Sequence, residues 1–218
     1  MRIASVAVAV STVAASLVAQ SPAPPPDINA ESLSRLPVVA RESLDAEGQR
    51  VYDYIAGGGG TAPKTGPGGV SLHSPAPAQA IQMLNQALRK TVIGTKYFEI
   101  SALVGAREFD QQYEWSGHEP AALRAGVDQP AIDAIKFDRD VAGLEEKSAT
   151  IILMGRQLFR GNHQLKAELW AKAVRLFGPQ GALEITMVMG DYAMAAVMLN
   201  AVDQQLPTGR PALLPARR

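Results

Sequence analysis

The chain contains no cysteine among its 218 residues. It therefore has no disulfide framework, no thiolate ligands for a metal, and no cysteine pair for redox chemistry. Histidine is also scarce, with three residues, and the two-histidine pattern of a metalloprotease helix is absent. We predict that the protein holds no metal ion.

The sequence also lacks an excess of charge of either sign. Lys plus Arg and Asp plus Glu number 21 each, and neither sign forms a long run. A protein that binds nucleic acid needs a basic patch or stripe to meet the phosphate backbone. We therefore expect no nucleic-acid partner.

Aromatic residues are few, at 6% of the chain, whereas 47% of the residues are hydrophobic and Ala, Leu, Val and Met are plentiful. This composition favours helices packed on helices over a β-sandwich. The length suits one domain with a single hydrophobic core. The expected fold class is all-α.

The N-terminus is typical of an export signal. Arg2 precedes an apolar stretch over residues 3–18, and small residues follow up to Ala19. We predict a signal peptide over residues 1–19 and a periplasmic or secreted protein without stable membrane insertion. Leu17 fits the cleavage site poorly, so an uncleaved anchor is the alternative, although the stretch is shorter than the about 20 residues of a transmembrane helix.

Beyond the signal, proline and glycine divide the chain. Residues 20–30 form a proline-rich spacer, 31–207 the domain, and 208–218 a proline-rich basic tail. Residues 61–77 carry repeated Gly and Pro and predict an irregular loop. Ser74, Asp110 and Asn162 are candidate helix N-caps. Hydrophobic periodicity predicts a bundle of helices over 45–55, 75–90, 95–107, 111–125, 129–136, 145–159, a segment ending at 177, and 182–202.

A weak internal echo links two of these helices. The tripeptide EIS at 99–101 is followed by Gly105, and EIT at 184–186 is followed by Gly190. Two related helical halves would produce this pattern, and so would chance similarity between amphipathic helices. The echo leaves both explanations open.

The best candidates for chemistry lie on the helix predicted over 111–125. Gln111, Glu114 and His118 share one face, because residues three and four apart stack on a helix. A carboxylate one turn from an imidazole orients the ring, as a general acid or base requires. The same spacing also occurs in ordinary solvated pairs that contribute about 0.2–0.5 kcal/mol.

The surrounding motifs resemble those of the carboxymuconolactone decarboxylase-like proteins within the alkylhydroperoxidase D-like superfamily. The resemblance spans residues 33–207 and implies the helical fold of that superfamily. It rests on Arg107-Glu108, Tyr113-Glu114-Trp115, His118-Glu119-Pro120 and Ala125-Gly126, on Gly66-Pro67 and Leu72-His73-Ser74-Pro75 upstream, and on Asp191-Tyr192, Leu199-Asn200 and Leu206-Pro207 downstream.

In the peroxidase branch of that superfamily, a Glu precedes a Cys-x-x-Cys pair, and a His follows four residues later. Here Glu99 matches the upstream Glu, while Gln111 and Glu114 replace the two cysteines. Disulfide-based peroxide reduction is therefore disfavoured. The resemblance implies instead a cofactor-free lyase for a small organic acid or lactone. His118 would donate or accept the proton, and Glu114 would orient the His118 ring. Glu99 would take part in the proton transfer from the preceding helix.

Several of these assignments have simpler alternatives. The simpler explanation for Glu99 is that a negative charge near the N-terminus of a helix stabilises the helix. Substrate-binding roles are expected for Gln111, Arg107, His73 and Trp115. The alternative for Arg107 is an ion pair with a neighbouring acid. His73 would otherwise be a packed loop histidine, and Trp115 would belong to the core. The resemblance further implies a homo-oligomer, a trimer or hexamer. An exported small-molecule-binding protein without catalysis is the competing function.

Cleavage of the signal peptide is directly testable. When the full-length chain is expressed with its own N-terminus in a Gram-negative host, we expect a periplasmic protein that begins at Gln20. Intact-mass spectrometry and N-terminal sequencing of the periplasmic and membrane fractions give the answer. A membrane-bound protein that retains Met1 would show that the apolar stretch is an anchor.

Overall fold

The computed structural model describes residues 25–216, which form eight α-helices, one 3₁₀ turn at Arg41–Ser43 and no strand. The all-α prediction is confirmed. The predicted signal peptide and the start of the spacer lie outside the described residues. The helices are α1 (Ala46–Ala56), α2 (Gly66–Ser71), α3 (Pro75–Leu88), α4 (Gly94–Glu108), α5 (Gln112–Arg124), α6 (Gln129–Lys136), α7 (Glu146–Phe159) and α8 (Ala167–Ala201).

Helix α4 is the centre of the fold. Every residue from Phe98 to Arg107 is buried, and the helix packs against α5, α6, α7 and α8. A helix that is apolar on all sides is stable only inside a protein, where neighbours cover each face. Two charged side chains on this helix, Glu99 and Arg107, are consequently buried with it.

Close packing of α4 against α8 depends on Gly105. A Cβ atom at this position would lie 2.9 Å from the Met189 carbonyl oxygen and 2.9 Å from the Tyr192 Cβ atom. At the echoing position, Gly190, an added Cβ would meet nothing within 4 Å. The two echoing glycines therefore serve different purposes, although the segments that carry them lie on packed helices.

Helix α8 is interrupted at Gly178, where φ is 71° and ψ is 166°. Only glycine adopts this backbone conformation readily. The interruption agrees with the two separate helices that the sequence predicts on either side of Gly178 and Pro179. By length and composition α8 is also the one helix within residues 25–216 able to cross a membrane, but 56% of its most apolar window is buried in the protein.

The prediction of an irregular loop over residues 61–77 was wrong in part, because α2 forms within it. Gly66 has a φ of 72° and lies against Tyr113, whose ring would be 2.5 Å from an added Cβ. Gly69 approaches Pro63 so closely that a Cβ would lie 2.7 Å from its carbonyl oxygen. The local preference of these glycines indicates a loop, yet here they permit close contact with the Tyr113 ring and with the backbone at Pro63.

None of the three residues predicted as helix N-caps makes a capping hydrogen bond at the start of its helix. Ser74 occupies the N-cap position of α3, but its side chain makes no capping hydrogen bond. Asp110 lies before α5 with a φ of 49°, and Gln111 caps that helix by accepting a hydrogen bond from the Tyr113 amide at 2.7 Å. Asn162 precedes α8 by several residues, and Lys166 is the actual N-cap.

The segment predicted as a basic tail contacts the bundle as far as Pro215. Gln112 and Leu214 exchange two hydrogen bonds of 2.8 Å between side chain and backbone. Arg107 donates to the Pro215 carbonyl oxygen at 2.9 Å. Leu214 itself is buried in the main core. These contacts hold the C-terminal segment along α5, next to the candidate catalytic residues.

The break at Gly178 allows a matched pair of substitutions. Gly178→Ala should lower the free energy of unfolding by about 1–3 kcal/mol, because alanine is strained at its φ and ψ. Gly190→Ala, in the regular part of α8 with open space around it, should be neutral or stabilising by up to about 1 kcal/mol. Urea denaturation of both variants checks this, and equal effects would contradict it.

Candidate functional site

A cavity of about 310 Å³ opens between the N-terminal helices α1 to α3, helices α5 and α8, and the C-terminal segment. Its wall combines apolar side chains, such as Ile55, Ile81 and Ala195, with a larger number of polar ones. The polar and charged side chains that line it are Ser71, Gln82, Asn85, Arg89, Tyr113, Glu114, His118, Asp191, Tyr192 and Arg210.

His118 stands on the cavity wall between two buried carboxylates. Its Nδ1 atom lies 2.7 Å from Glu99 Oε2, and its Nε2 atom lies 3.7 Å from Glu114 Oε2. The exposed fraction of the side chain is 13% for His118, 5% for Glu99 and 6% for Glu114. Glu114 and His118 are therefore not an ordinary pair on a solvated helix face, since all three side chains are largely withdrawn from water.

Tyr192 fixes the plane of the imidazole. Its ring meets the His118 ring edge to face, with 4.6 Å between the centroids. The Tyr192 hydroxyl lies 3.1 Å from an Arg89 Nη2 atom that donates to it. Burial raises the pKa of Tyr192 above its usual value, so this hydroxyl stays neutral. The ring thus supports His118 without bringing a charge to it.

Glu114 differs from Glu99 in having no close partner. Its Oε1 atom is buried and has no hydrogen-bond partner within residues 25–216. Burial raises the pKa of the Glu114 carboxyl, and His118, Arg210 and Arg89 oppose that rise only in part. An unpaired buried carboxyl group of this kind can hold a proton and present it to a molecule in the cavity.

A second polar cluster lies beside this group. Asn85 on α3 donates to Asp191 Oδ2 at 2.8 Å, and Arg89 Nε donates to Asn85 Oδ1 at 3.0 Å. Burial raises the pKa of Asp191, while the hydrogen bond from Asn85 and the charge of Arg89 counteract the rise. The cluster ties α3 to α8 across the cavity.

Arg210 enters the cavity from the C-terminal segment. Its guanidinium carbon lies 4.6 Å from the centroid of the Tyr113 ring, within cation–π distance. The Tyr113 hydroxyl in turn makes a 2.9 Å hydrogen bond with Thr65 Oγ1. Sequence reasoning missed Arg210 because a lone arginine in a proline-rich segment carries no periodicity or spacing that links it to α5.

The structure brings Glu99, Glu114 and His118 together, but the four expected substrate-binding residues lie outside the cavity lining. Gln111 is buried against Asn200, with 2.7 Å between its Nε2 atom and the Asn200 Oδ1 atom. Arg107 pairs with Asp110 at 2.8 Å. His73 is exposed, and its Nε2 atom lies 2.9 Å from the Pro37 carbonyl oxygen.

Trp115, the fourth of these residues, is fully buried in the main core. Its indole nitrogen donates to Glu119, whose other oxygen accepts from Lys136 at 2.7 Å. The alternatives of core packing and of an acid pair therefore match the positions of Trp115 and Arg107. Among residues 25–216, no group of three His, Asp or Glu side chains is arranged to hold a metal ion.

Comparisons with known proteins identify the fold. No protein-family model and no curated protein matches the sequence. Among solved structures, the chain is similar to a variant of the debrominase Bmp8 in complex with 2,3,4-tribromopyrrole, with 16% identity, a TM-score of 0.58 and coverage of 79% of this chain and 91% of that one. The apo form of Bmp8 gives 16% identity, a TM-score of 0.57 and coverage of 81% and 92%.

A third similar structure is an uncharacterized peroxidase-related protein from Ralstonia eutropha JMP134 with an alkylhydroperoxidase AhpD core. Its sequence is 15% identical to this chain, and the TM-score is 0.59. The matched region covers 81% of this chain and 93% of that protein. The chain therefore has the alkylhydroperoxidase D-like helical fold. The predicted fold is confirmed, and in this chain the fold occurs without cysteine.

The raised pKa of Glu114 predicts a specific pH dependence of stability. A carboxyl group whose pKa is higher in the folded state contributes full stability below its ordinary pKa and loses it as the pH rises through the raised value. Glu114→Gln cannot ionise, so its free energy of unfolding relative to the parent should increase with pH above about 4. Urea denaturation at several pH values measures this difference.

The control is the same change at Glu168, which is exposed on α8. Because this side chain is exposed, Glu168→Gln should not reproduce the pH-dependent increase expected for Glu114→Gln. A pH-independent difference for Glu114→Gln would show that its carboxyl group is not buried as the structure describes.

Proposed function

We propose that this protein is a cofactor-free acid–base enzyme, a lyase similar to carboxymuconolactone decarboxylase, that acts on a small organic acid or lactone. The observation that carries the proposal is the position of His118. It is mounted on the wall of a cavity, 2.7 Å from a buried carboxylate on one ring nitrogen, with its other nitrogen on the side of Glu114.

The contact with Glu99 selects the protonation pattern of the ring. Because a carboxylate accepts hydrogen bonds only, the proton of neutral His118 resides on Nδ1. The Nε2 atom then carries a lone pair and is available as a base. Once Nε2 has taken up a proton, the negative charge of Glu99 stabilises the imidazolium.

This geometry changes the roles expected for the two glutamates. Glu99, not Glu114, makes the close hydrogen bond that orients His118. Glu114 lies on the cavity side, with burial favouring its neutral form and one oxygen free to meet a substrate. We assign it the task of donating a hydrogen bond or a proton to the oxygen where negative charge develops.

A decarboxylation on this site would proceed as follows. The bond between the substrate carbon and its carboxylate breaks, carbon dioxide leaves, and the electron pair passes into an enolate. Glu114 stabilises the enolate oxygen, and the His118 imidazolium delivers a proton from Nε2 to the carbon. The imidazolium forms beforehand, when Nε2 of the neutral ring takes up a proton from solvent water, and the transfer to carbon returns the ring to its neutral form. No electron enters or leaves, in keeping with the absence of thiols.

We also propose a homo-oligomer, a trimer or hexamer as the family resemblance implies. Support comes from large apolar side chains that are exposed on α3 and α8 of the single chain. These are Met83, Leu84, Leu183, Met187 and Val197. A helical surface of this composition is typical of subunit contacts.

The acid–base proposal is tested with His118→Ala and Glu99→Gln. A panel of small lactones and keto acids is incubated with the protein in deuterium oxide, and NMR follows deuterium uptake at carbon and release of carbon dioxide. His118→Ala should slow turnover by about 10²–10⁴-fold. Glu99→Gln should cause a smaller loss, because the histidine remains but loses its charged partner.

The matched control is His163→Asn. His163 lies away from the cavity, contacts the Leu158 carbonyl oxygen and has a φ of 60°, which asparagine tolerates well. This variant should turn over substrate at the parental rate. Parental activity in His118→Ala would overturn the proposal, and binding without any turnover by the parent protein would favour a binding protein.

A further inference from the structure

Two guanidinium groups in the cavity can donate hydrogen bonds to a ligand. Two arginines, Arg89 and Arg210, line the cavity together with two acids, Glu114 and Asp191. Asp191 already accepts a hydrogen bond from Asn85, and burial raises the pKa of both carboxyl groups while the arginines oppose that rise. Whether a ligand anion finds an open donor therefore depends on which of the two guanidinium groups the neighbouring side chains already engage.

The two arginines differ in their availability. Arg89 donates to Asn85 Oδ1 and to the Tyr192 hydroxyl, so part of its guanidinium is engaged. Within residues 25–216, by contrast, the Arg210 side chain makes no hydrogen bond and no ion pair within 4.0 Å, and its charge acts on the Glu114 carboxyl only from a greater distance. Its planar guanidinium rests on the Tyr113 ring with its donors open to a ligand.

Gly117 creates the space in which Arg210 lies. A Cβ atom on this residue would be 2.5 Å from Arg210 Nη2, closer than any side chain permits. Gly117 lies on α5 between Glu114 and His118, and all three residues line the cavity. The guanidinium therefore covers the helix surface between the two candidate catalytic groups.

The C-terminal segment holds Arg210 in this place. Leu214 is hydrogen-bonded to Gln112 through both its amide and its carbonyl group, and the Arg210 amide donates to the Pro207 carbonyl oxygen at 3.0 Å. Because these hydrogen bonds already hold the backbone around Arg210, a ligand does not have to order this segment when it binds the guanidinium group, which increases affinity.

We propose that Arg210 is a specificity-determining residue that binds the carboxylate of a small organic acid, and that Gly117 leaves the space for it to do so. The unpartnered oxygen of Glu114 is the second observation that points to a ligand here. The inference rests on the proposed function in one respect, since the far end of the same molecule would react at His118.

Binding of three acids, acetate, levulinate and benzoate, and of their neutral amides tests the proposal by ligand-observed NMR and calorimetry on the full protein. At least one acid should bind more tightly than its amide. Arg210→Gln should weaken binding of that acid by about 10- to 100-fold and leave amide binding unchanged. Arg124→Gln, an exposed arginine at the end of α5, is the charge-matched control and should have no effect.

Gly117→Ala provides a test that keeps every charge. The atom it displaces is the far end of a flexible side chain, and alanine favours a helix more than glycine does, so the melting temperature should not fall. The preference for acid over amide should nevertheless decrease. Arg210→Lys, which retains the charge but not the planar fork, should give an intermediate affinity.

The outcomes separate this inference from the enzymatic proposal. Equal binding of acids and amides, failure of all three acids to bind, or unchanged acid binding in Arg210→Gln would overturn the role of Arg210. If acid binding depends on Arg210 but the His118→Ala variant turns over substrate at the parental rate, the carboxylate site stands and the acid–base function fails.

Discussion

The hydrogen bond between Glu99 and His118 is the contact on which the site depends. A carboxylate buried in the central helix would be strongly unfavourable if it faced only apolar side chains. The imidazole on α5, 2.7 Å away, satisfies it and is itself oriented by it. The interaction therefore links the packing of α4 and α5 to the orientation of the ring that faces the cavity.

The second glutamate shows how environment separates two groups of the same type. Glu99 and Glu114 are buried to a similar extent and lie on either side of one ring. Glu99 has a partner, whereas Glu114 has a buried oxygen without one and a raised pKa. In the proposed reaction the first keeps its charge and the second keeps its proton. Neither role can be assigned from residue identity alone, since each follows from what surrounds the carboxyl group.

Local sequence patterns predicted most of the helices, because amphipathic periodicity and helix terminators act within one or two turns. Helix α6 was expected over residues 129–136 and has those bounds. The same local signals failed where distant contacts decide the backbone. Gly66 and Gly69 suggested an irregular loop, yet they lie in α2, where the absence of a side chain lets Tyr113 and Pro63 approach closely. Asp110 was expected as a cap, but it pairs with Arg107, and Gln111 caps α5.

By itself the sequence determined the helical class, the exclusion of thiol chemistry, and the common face of Glu114 and His118, since composition and helical spacing are properties of neighbouring residues. Only the tertiary structure decided that Glu99 meets His118, that Glu114 has a buried unpaired oxygen, and that Arg210 reaches the cavity while Arg107 and Trp115 do not. These outcomes depend on which helices pack together, and no spacing along the chain encodes the environment that another helix provides.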